Sequence, residues 1–510
     1  MGGLPKTPVE PGTVRAGGDS DSARDLRRGA KVTLAAYVVR IAHPPLMIAV
    51  TRTYGAAHWG EVAIGLGLST VLLRLGAFGL DRSMLYWVAR HAASGVVPGL
   101  GAAIRWVGVF SVFLSVAVLT GLQAAYGADP RAEVWSILVL GFVPLAVSEM
   151  LLQACTGLRR LEVQLIVRDI IGAFAFLLFG LLLYWAGFQS TGLAWSYVLS
   201  QWLGLAVAAF YFHRLFRGVR KSAPGQRGIP AELRRYALPL WPSEVLNASF
   251  ARVGELVVGA YAGAAAAGVY DVVRQIGNTV RSIRGSFDGI VTSVVASLRT
   301  DGDDSAVDEQ LSYATLLVLT VQTPIALALA LFADWLIPLF GKDFHISSAA
   351  VAVLCAASVV GGATSMAAMV INGLGRSRVY LGYVGVSFVV QLVLLITLTP
   401  PYGVDGAVWA VSVGSVVQGA LAVVLLKRVT GRIGLNRQAA KGILRMLAAV
   451  LAGVVVAKLA SEALEVWFAS AEVAELTGRS LGFLVFLAIH LPLFMRVYRT
   501  KKRVDGAGAA

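Results

Sequence analysis

Long apolar stretches separated by short polar joints dominate the chain from residue 34 onward. A helix that crosses a bilayer needs about 20 mostly apolar residues. Fourteen stretches of roughly that length occur in the sequence. We therefore predict membrane spans at residues 34–51, 61–80, 103–125, 134–155, 166–186, 192–212, 237–259, 269–297, 311–332, 347–371, 379–398, 406–426, 443–460 and 480–495.

The composition agrees with a membrane protein. Hydrophobic residues make up 57% of the chain and charged residues 14%, which is too apolar for an ordinary soluble domain. Cys155 and Cys355 both fall inside predicted spans, so they suggest neither a disulfide nor a metal site, and no cofactor is expected. The sequence predicts an all-α integral membrane protein of about 14 transmembrane helices.

Lysine and arginine are distributed very unevenly between the two sides of the predicted spans. Of the 44 such residues, 30 lie on the side of the N-terminus and 4 on the other side. Because basic loops stay in the cytoplasm, this asymmetry predicts that both termini are cytoplasmic. Basic loops facing anionic lipid also account for the net charge of +15, so no nucleic-acid partner is expected.

A basic loop rich in Gly and Pro separates two groups of six spans, and a final pair of spans follows them. Residues before the first span lack an apolar core and are expected to be disordered. We therefore divide the chain into a cytoplasmic tail (1–33), an N-lobe (34–213), a cytoplasmic linker (214–236), a C-lobe (237–428), a hairpin of spans thirteen and fourteen (429–496) and a C-terminal cytoplasmic tail (497–510).

The two halves resemble each other where they begin. Each first span contains prolines and ends in a Tyr followed by two glycines five residues apart, "YGAAHWG" with Gly55 and Gly60, and "YAGAAAAG" with Gly263 and Gly268. Six spans return each half to its starting side. The pattern therefore predicts parallel repeats related by an axis along the membrane normal.

Span eight carries Arg274, Arg281 and Arg284 in otherwise apolar sequence. With Asn278 and Asp288 they fall on one helical face. Arginine at the bilayer centre costs roughly 2.5–3.5 kcal/mol on insertion scales, so this face is expected to line a water-filled cavity. Arginines of spans one and two could reach the same inward-opening cavity. The candidate substrate-binding residues are Arg40, Arg74, Arg274, Asn278, Arg281 and Arg284.

Arginine binds phosphate or carboxylate through its planar, permanently charged fork, so the implied ligand is anionic. The alternative is that these arginines pair with buried acids, such as Glu149, Asp169, Glu244 and Glu255. Glu255 lies one turn from Arg252, and we expect those two to form an ion pair. The candidates for ion coupling are Glu149, Asp169, Glu244 and Asp271.

Several segments, in this order and spacing, resemble the polysaccharide transporter branch of the multidrug, oligosaccharidyl-lipid and polysaccharide (MOP) exporter superfamily. They are residues 52–90, 237–276, "LFGKDFHISSAAVAVL" (339–354), "INGLGRSRVYLGY" (371–383) and "PPYGVDGAVWAVSV" (400–413). The resemblance implies two pseudo-symmetric six-helix lobes around a central cavity that opens alternately to each face. Glu255 departs from the family, which often has Asp there.

The resemblance also implies roles for particular residues. The related lipid II flippases carry cavity arginines on helices one, two and eight. Arg40, Arg74 and Arg281 match those places here, with Arg274 as a rival on helix eight. Two additional C-terminal helices line a groove for the lipid tail in those proteins, which would give spans thirteen and fourteen a purpose.

The resulting hypothesis is a flippase that moves an undecaprenyl-diphosphate-linked oligosaccharide to the outer leaflet of the bacterial cytoplasmic membrane for cell-surface polysaccharide synthesis. Its partners would be that lipid, membrane lipids and a polysaccharide polymerase. A multidrug exporter is an alternative, but it needs carboxylates that face a cationic substrate. A membrane glycosyltransferase or polymerase is another, but the external loops are short.

Overall fold

The computed structural model describes residues 19–91, 94–127, 130–158, 160–219, 228–284, 304–373, 377–430, 436–468 and 470–507. The predicted site residue Arg40 lies on the first helix, but its side chain is outside the described part. Asp288 of the polar face is also outside it.

The described part is nearly all helical. Its helices are α1 (Asp19–Ala77), α2 (Leu80–His91), α3 (Leu100–Tyr126), α4 (Pro130–Leu140), α5 (Phe142–Gly157), α6 (Leu161–Gln164), α7 (Phe176–Trp185), α8 (Gly192–Leu215), α9 (Ala231–Ser282), α10 (Asp304–Leu331), α11 (Ala333–Leu336), α12 (Ser348–Gly373), α13 (Ser377–Thr430), α14 (Arg437–Leu464) and α15 (Ala471–Ala507).

Eleven helical stretches in the described part are long and apolar enough to cross a membrane. Three of these stretches, in α1, α9 and α13, contain a glycine with non-helical backbone at Gly55, Gly263 and Gly403. Each of the three covers two of the predicted spans. The predicted all-α membrane class is therefore confirmed, while the count of fourteen spans stays a prediction.

The two glycine joints of the predicted repeat adopt the same conformation. Gly55 has φ 76° and ψ 172°, and Gly263 has φ 86° and ψ 174°, a region open to glycine at little cost. The joints also touch each other, because a Cβ at Gly60 would overlap the carbonyl of Ala264 and one at Gly268 would overlap that of Ala56. The contact is reciprocal, as a twofold relation between the halves requires.

A second contact joins the halves at the opposite ends of these helices, on the predicted inner side. The indole N–H of Trp241 in α9 donates to the Arg74 carbonyl over 3.0 Å, and its ring lies 5.0 Å from that of Phe78. Arg82 Nε of α2 lies 3.1 Å from Glu244 Oε2 of α9. Contacts at both ends therefore hold α1 and α2 against α9.

Apolar side chains from both halves form a shared core around the joints, including Val50, Val62, Val272 and Leu354. Separate cores lie within each half. Many large apolar residues outside them remain exposed, as on α3 and α14. Such exposure is expected of helices that face lipid.

The C-terminal helices α14 and α15 pack closely as a pair, because Gly453 and Gly482 let their backbones approach. Phe486 of α15 and Leu327 of α10 share a small apolar core, which attaches the pair to the C-lobe. His490 adds a hydrogen bond of 2.8 Å between Nε2 and the Thr320 carbonyl. The hairpin is thus fixed to the first helix after the predicted span eight.

Hydropathy did not predict the helix α2, nor the π-helical form of a segment in the predicted span 166–186. The helix α2 has 12 residues and three charged side chains plus His91, so it is too short and polar to register as a span. The segment Leu165–Ala175 is π-helical. Such a segment inserts an extra residue in a helical turn and often occurs at functional sites.

Candidate substrate-binding site

The second leg of α9, after Gly263, carries three of the predicted site residues and Asp271. Arg274 is neutralised there: its Nε lies 2.5 Å from Glu255 Oε1 and its Nη2 lies 2.6 Å from Asp271 Oδ1. Its side chain is only 11% exposed and Glu255 is fully buried. The alternative that the sequence left open, pairing with a buried acid, therefore holds for Arg274.

Two further contacts complete this cluster. Arg252 Nη1 lies 3.3 Å from Glu255 Oε1, which confirms the predicted pair. With two arginines and two carboxylates, the cluster of Arg252, Glu255, Asp271 and Arg274 is balanced in charge, as burial of ions demands. We refer to these four residues as the C-lobe ion cluster.

Asp271 also connects the two halves. Its Oδ2 accepts hydrogen bonds from the Trp59 indole N–H over 3.1 Å and from Gln275 Nε2 over 2.7 Å. Trp59 belongs to the glycine joint of the first half. The C-lobe ion cluster therefore bonds across the interface between the halves, close to the Gly60–Gly268 contact.

Arg281 differs from Arg274. Its Nη2 donates to Asn278 Oδ1 over 2.8 Å, and among the described residues no carboxylate lies within 4.0 Å of its guanidinium. The residue is half-buried. Arg281 is thus a cation on a membrane helix with an amide partner, which leaves its positive charge available to an anion.

Arg284 and Asn278 complete the set on this face. Asn278 accepts the hydrogen bond from Arg281 and so orients that guanidinium. Arg284 Nη1 contacts Met369 Sδ of α12 at 2.7 Å. The structure thus brings Asn278 and Arg281 together and sets Arg284 one turn further along the chain.

Arg74, in contrast, lies in a separate cluster of the N-lobe. It forms an ion pair with Asp81 of α2, and its Nη2 lies 3.9 Å from Glu149 Oε1. Arg74 and Glu149 are both largely buried. Arg74 is therefore neutralised by carboxylates of its own lobe, and its convergence with Arg281 on one ligand stays a prediction.

The candidates for ion coupling occupy different surroundings. Glu149 accepts from Gln153 Nε2 over 3.1 Å and lies 4.0 Å from Arg168 Nη1. Asp169 is half-buried on the π-helical segment beside Arg168. Glu244 pairs with Arg82, and Asp271 belongs to the C-lobe ion cluster. Glu149, Glu244 and Asp271 therefore each have a basic partner within 4.0 Å.

Sequence reasoning missed Trp59, Asp81 and Gln275 as members of these clusters. The signal for Trp59 was its place in "YGAAHWG", because an indole N–H in an apolar joint needs a hydrogen-bond acceptor. Gln275 lies four residues after Asp271, a spacing at which helical side chains meet. Asp81 gave no such signal, because its approach to Arg74 depends on the turn between α1 and α2.

The fold is that of the MOP superfamily transporters. The structure of the lipid II flippase MurJ in an inward closed conformation matches with a TM-score of 0.66 at 13% identity, covering 92% of this chain and 100% of that one. An inward-facing multidrug resistance MATE family transporter gives a TM-score of 0.60 at 15% identity, covering 78% and 98%. A MOP superfamily transporter from Pyrococcus furiosus gives 0.58 at 13% identity, covering 81% and 96%.

The sequence comparison points to polysaccharide biosynthesis. A family model described as polysaccharide biosynthesis protein matches residues 103–349. No curated protein matches the chain. The family match, over slightly less than half of the chain, and the shared fold together confirm the resemblance predicted from sequence.

Proposed function

We propose that this protein is a flippase that moves an undecaprenyl-diphosphate-linked oligosaccharide from the cytoplasmic to the outer leaflet of the bacterial cytoplasmic membrane. The glycan would serve cell-surface polysaccharide synthesis, and a polysaccharide polymerase would use it on the outer side. The polysaccharide biosynthesis family and the likeness to a lipid II flippase support a lipid-linked substrate.

The observation that supports the proposal is that the Arg281 guanidinium is bonded to an amide and to no carboxylate among the described residues. Its described polar partner is the Asn278 amide, so a diphosphate could add the charge-assisted hydrogen bonds that the site lacks. Arg284 and Arg40 are proposed to contribute from the next turn and from α1. An anion moving outward would be helped by the membrane potential, by about 2.3 kcal/mol per charge and 100 mV.

The two halves would open and close the path through their shared contacts. The Gly60–Ala264 and Ala56–Gly268 approaches hold α1 and α9 together on the predicted outer side. Because backbone meets backbone there, separation requires little repacking of side chains. Release of this contact and of the Trp59–Asp271 hydrogen bond is proposed to admit the substrate to the outer leaflet.

The multidrug exporter remains the second candidate, since MATE transporters share the fold. A cationic substrate needs a carboxylate that is open to it. Glu255 and Asp271, the buried acids of the C-lobe ion cluster, are each held by arginines. The MurJ structure also covers more of the chain than the MATE structures do, by a length similar to that of the C-terminal hairpin. Both observations favour the flippase.

The test is transport by purified protein in liposomes, with an NBD-labelled polyprenyl-diphosphate oligosaccharide as the probe. Arrival of the probe in the accessible leaflet is measured by dithionite quenching. We expect Arg281→Ala to slow translocation by about 10- to 100-fold, as expected for loss of a charged contact, with thermal stability near that of the wild type. The matched control Arg90→Ala alters an exposed arginine of α2 and should leave the rate unchanged.

Two outcomes would contradict the proposal. One is normal translocation by Arg281→Ala, which would remove Arg281 from the site. The other is a wild-type protein that leaves the lipid probe in place but exports ethidium, which would establish the multidrug function instead.

A further inference from the structure

A cavity of about 530 Å³ lies on the predicted outer side of the C-lobe, away from the arginines of α9. Its walls come from α11, the 3-10 turn Ile337–Phe340, the loop before α12 and the Gly403 break of α13. The volume falls within the roughly 300–1,000 Å³ of typical small-ligand sites. The family match and the candidate diphosphate site assign no role to this cavity.

Two carboxylates of the cavity are held in place by the surrounding protein. Arg479 of α15 donates from Nη2 to Asp334 Oδ2 over 2.7 Å and from Nη1 to the Leu331 carbonyl over 2.6 Å. Asp405 Oδ1 accepts the backbone N–H of Ser347 over 3.2 Å. Each carboxylate thus uses one oxygen in these bonds, and within the described residues the other oxygen accepts no hydrogen bond.

The remaining walls are aromatic and aliphatic. Tyr402 is 57% exposed, and its ring rests against Trp409 with 5.8 Å between centroids. Phe344 and Ile337 are buried beneath the cavity, and the exposed His345 adds a ring nitrogen at its rim. The cavity therefore offers a supported aromatic face next to fixed hydrogen-bond acceptors.

This combination suits a pyranose ring. Sugar hydroxyls donate to ionised carboxylates, which have several lone pairs, while the apolar C–H face of the ring packs on an aromatic side chain. An anionic sugar would be repelled by Asp334 and Asp405. Among the described residues no three His, Cys, Asp or Glu are grouped closely enough to hold a metal ion.

We propose that this cavity is a binding site for a neutral saccharide unit at the outer face of the protein. The wall formed by residues 333–346 also contacts the helix just before the first glycine joint, because Arg52 Nε donates to the Leu339 carbonyl over 2.6 Å. The cavity is therefore preformed in the conformation in which the two joints touch. The proposal concerns binding alone and does not depend on translocation.

The experiment is saturation-transfer NMR and calorimetric titration of the full chain in lipid nanodiscs. The probes are methyl β-glucoside, methyl N-acetyl-β-glucosaminide and glucuronate. The two neutral glycosides are expected to bind, and glucuronate is expected to bind at least 10-fold more weakly. Tyr402→Ala and Asp405→Asn should each weaken neutral-glycoside binding by about 10-fold.

Asp405→Asn retains an oxygen that can accept from Ser347, so it removes the charge while preserving the local fold. The control Asp343→Asn changes an exposed acid on the same segment and should bind normally. Absence of binding by both neutral glycosides, equal binding of glucuronate, or normal affinity in both cavity variants would each overturn the proposal. Failure of the lipid probe to translocate would leave these binding results unaffected.

Discussion

Two arginines at nearly corresponding places in the two halves have opposite surroundings. Arg74 lies 14 residues after Gly60, and Arg281 lies 13 residues after Gly268. Arg74 is paired with the carboxylate of Asp81 and lies near that of Glu149. Arg281 is bonded to the neutral amide of Asn278.

The difference distinguishes two roles of an arginine on a membrane helix, one structural and one open to a ligand. A charge that is taken out of water must be compensated. Arg74 receives that compensation from its own chain and therefore joins α1, α2 and α5. Arg281 has no such carboxylate in the described structure, so an anion from outside is the natural complement. The Arg74 cluster thereby stabilises the N-lobe by charge, while the charge of Arg281 in the C-lobe is the one that we propose for the substrate.

The largest expected effect comes from removing the arginine of the neutralised pair. Arg74→Ala leaves Asp81 and Glu149 buried without their main counterion. Breaking a buried pair in this way costs about 3–5 kcal/mol. We expect a correspondingly lower thermal unfolding temperature in detergent and little folded protein in the membrane.

The control for this prediction is Arg82→Ala on the adjacent helix α2. Arg82 has a side chain that is 47% exposed and pairs with Glu244, so its removal should cost less than about 1 kcal/mol. A folded and fully stable Arg74→Ala protein would show that the N-lobe cluster is not structural, and the comparison between the two arginines would fail.

A second variant should give Arg281 a carboxylate partner, as Arg74 has. Asn278→Asp places a carboxylate where the amide now accepts from Arg281 Nη2. The new ion pair would compete with a phosphate for the guanidinium. We expect the affinity for farnesyl diphosphate, measured by titration, to fall by about 10-fold while thermal stability is preserved.

Thr279→Ala serves as its control, because Thr279 is the exposed neighbour of Asn278 and its hydroxyl bonds only its own helix, at the Gln275 carbonyl. Unchanged diphosphate affinity in Asn278→Asp would indicate that the charge of Arg281 is not what binds the ligand.

The sequence was sufficient for the features that depend on local pattern. Apolar length predicted the helices, and the glycine spacing predicted the matching joints at Gly55 and Gly263. The one-turn spacing of Arg252 and Glu255 predicted their ion pair. Each of these follows from helix geometry along one segment, which the order of residues specifies directly.

The features that were missed depend on contacts between segments. The approach of Trp59 to Asp271 requires the two joints to meet back to back. The approach of Asp81 to Arg74 requires the turn at Phe78, whose φ of 50° is unusual for a bulky residue. Periodicity assigned Arg274 to a polar face, but it contains no information on which carboxylate would meet it.

A smaller loss of stability than in Arg74→Ala is expected at the bond between the halves. Trp59→Phe keeps the aromatic ring and removes the N–H that donates to Asp271 Oδ2. A hydrogen bond to a charged group contributes about 1.5 kcal/mol or somewhat more, so the unfolding free energy should fall by about that amount. Because Arg274 still neutralises Asp271, diphosphate affinity at Arg281 should not change.

The exposed Trp202 provides the control, since Trp202→Phe alters a residue that faces away from the core. If both tryptophan variants were equally stable, the hydrogen bond between the halves would contribute nothing. If Trp59→Phe weakened diphosphate binding as strongly as Asn278→Asp, the C-lobe ion cluster and Arg281 would have to be treated as one site.

The smallest expected effect comes from Asn278→Ala. This change removes the acceptor that orients Arg281 Nη2 but adds no competing charge. Loss of one such orienting bond costs about 1 kcal/mol, so diphosphate affinity should fall about 5-fold, less than in Asn278→Asp. The order of the two variants is the decisive measurement. A greater loss in the alanine variant would mean that the orientation of Arg281 matters more than its free charge, and the contrast with Arg74 would then be one of geometry rather than neutralisation.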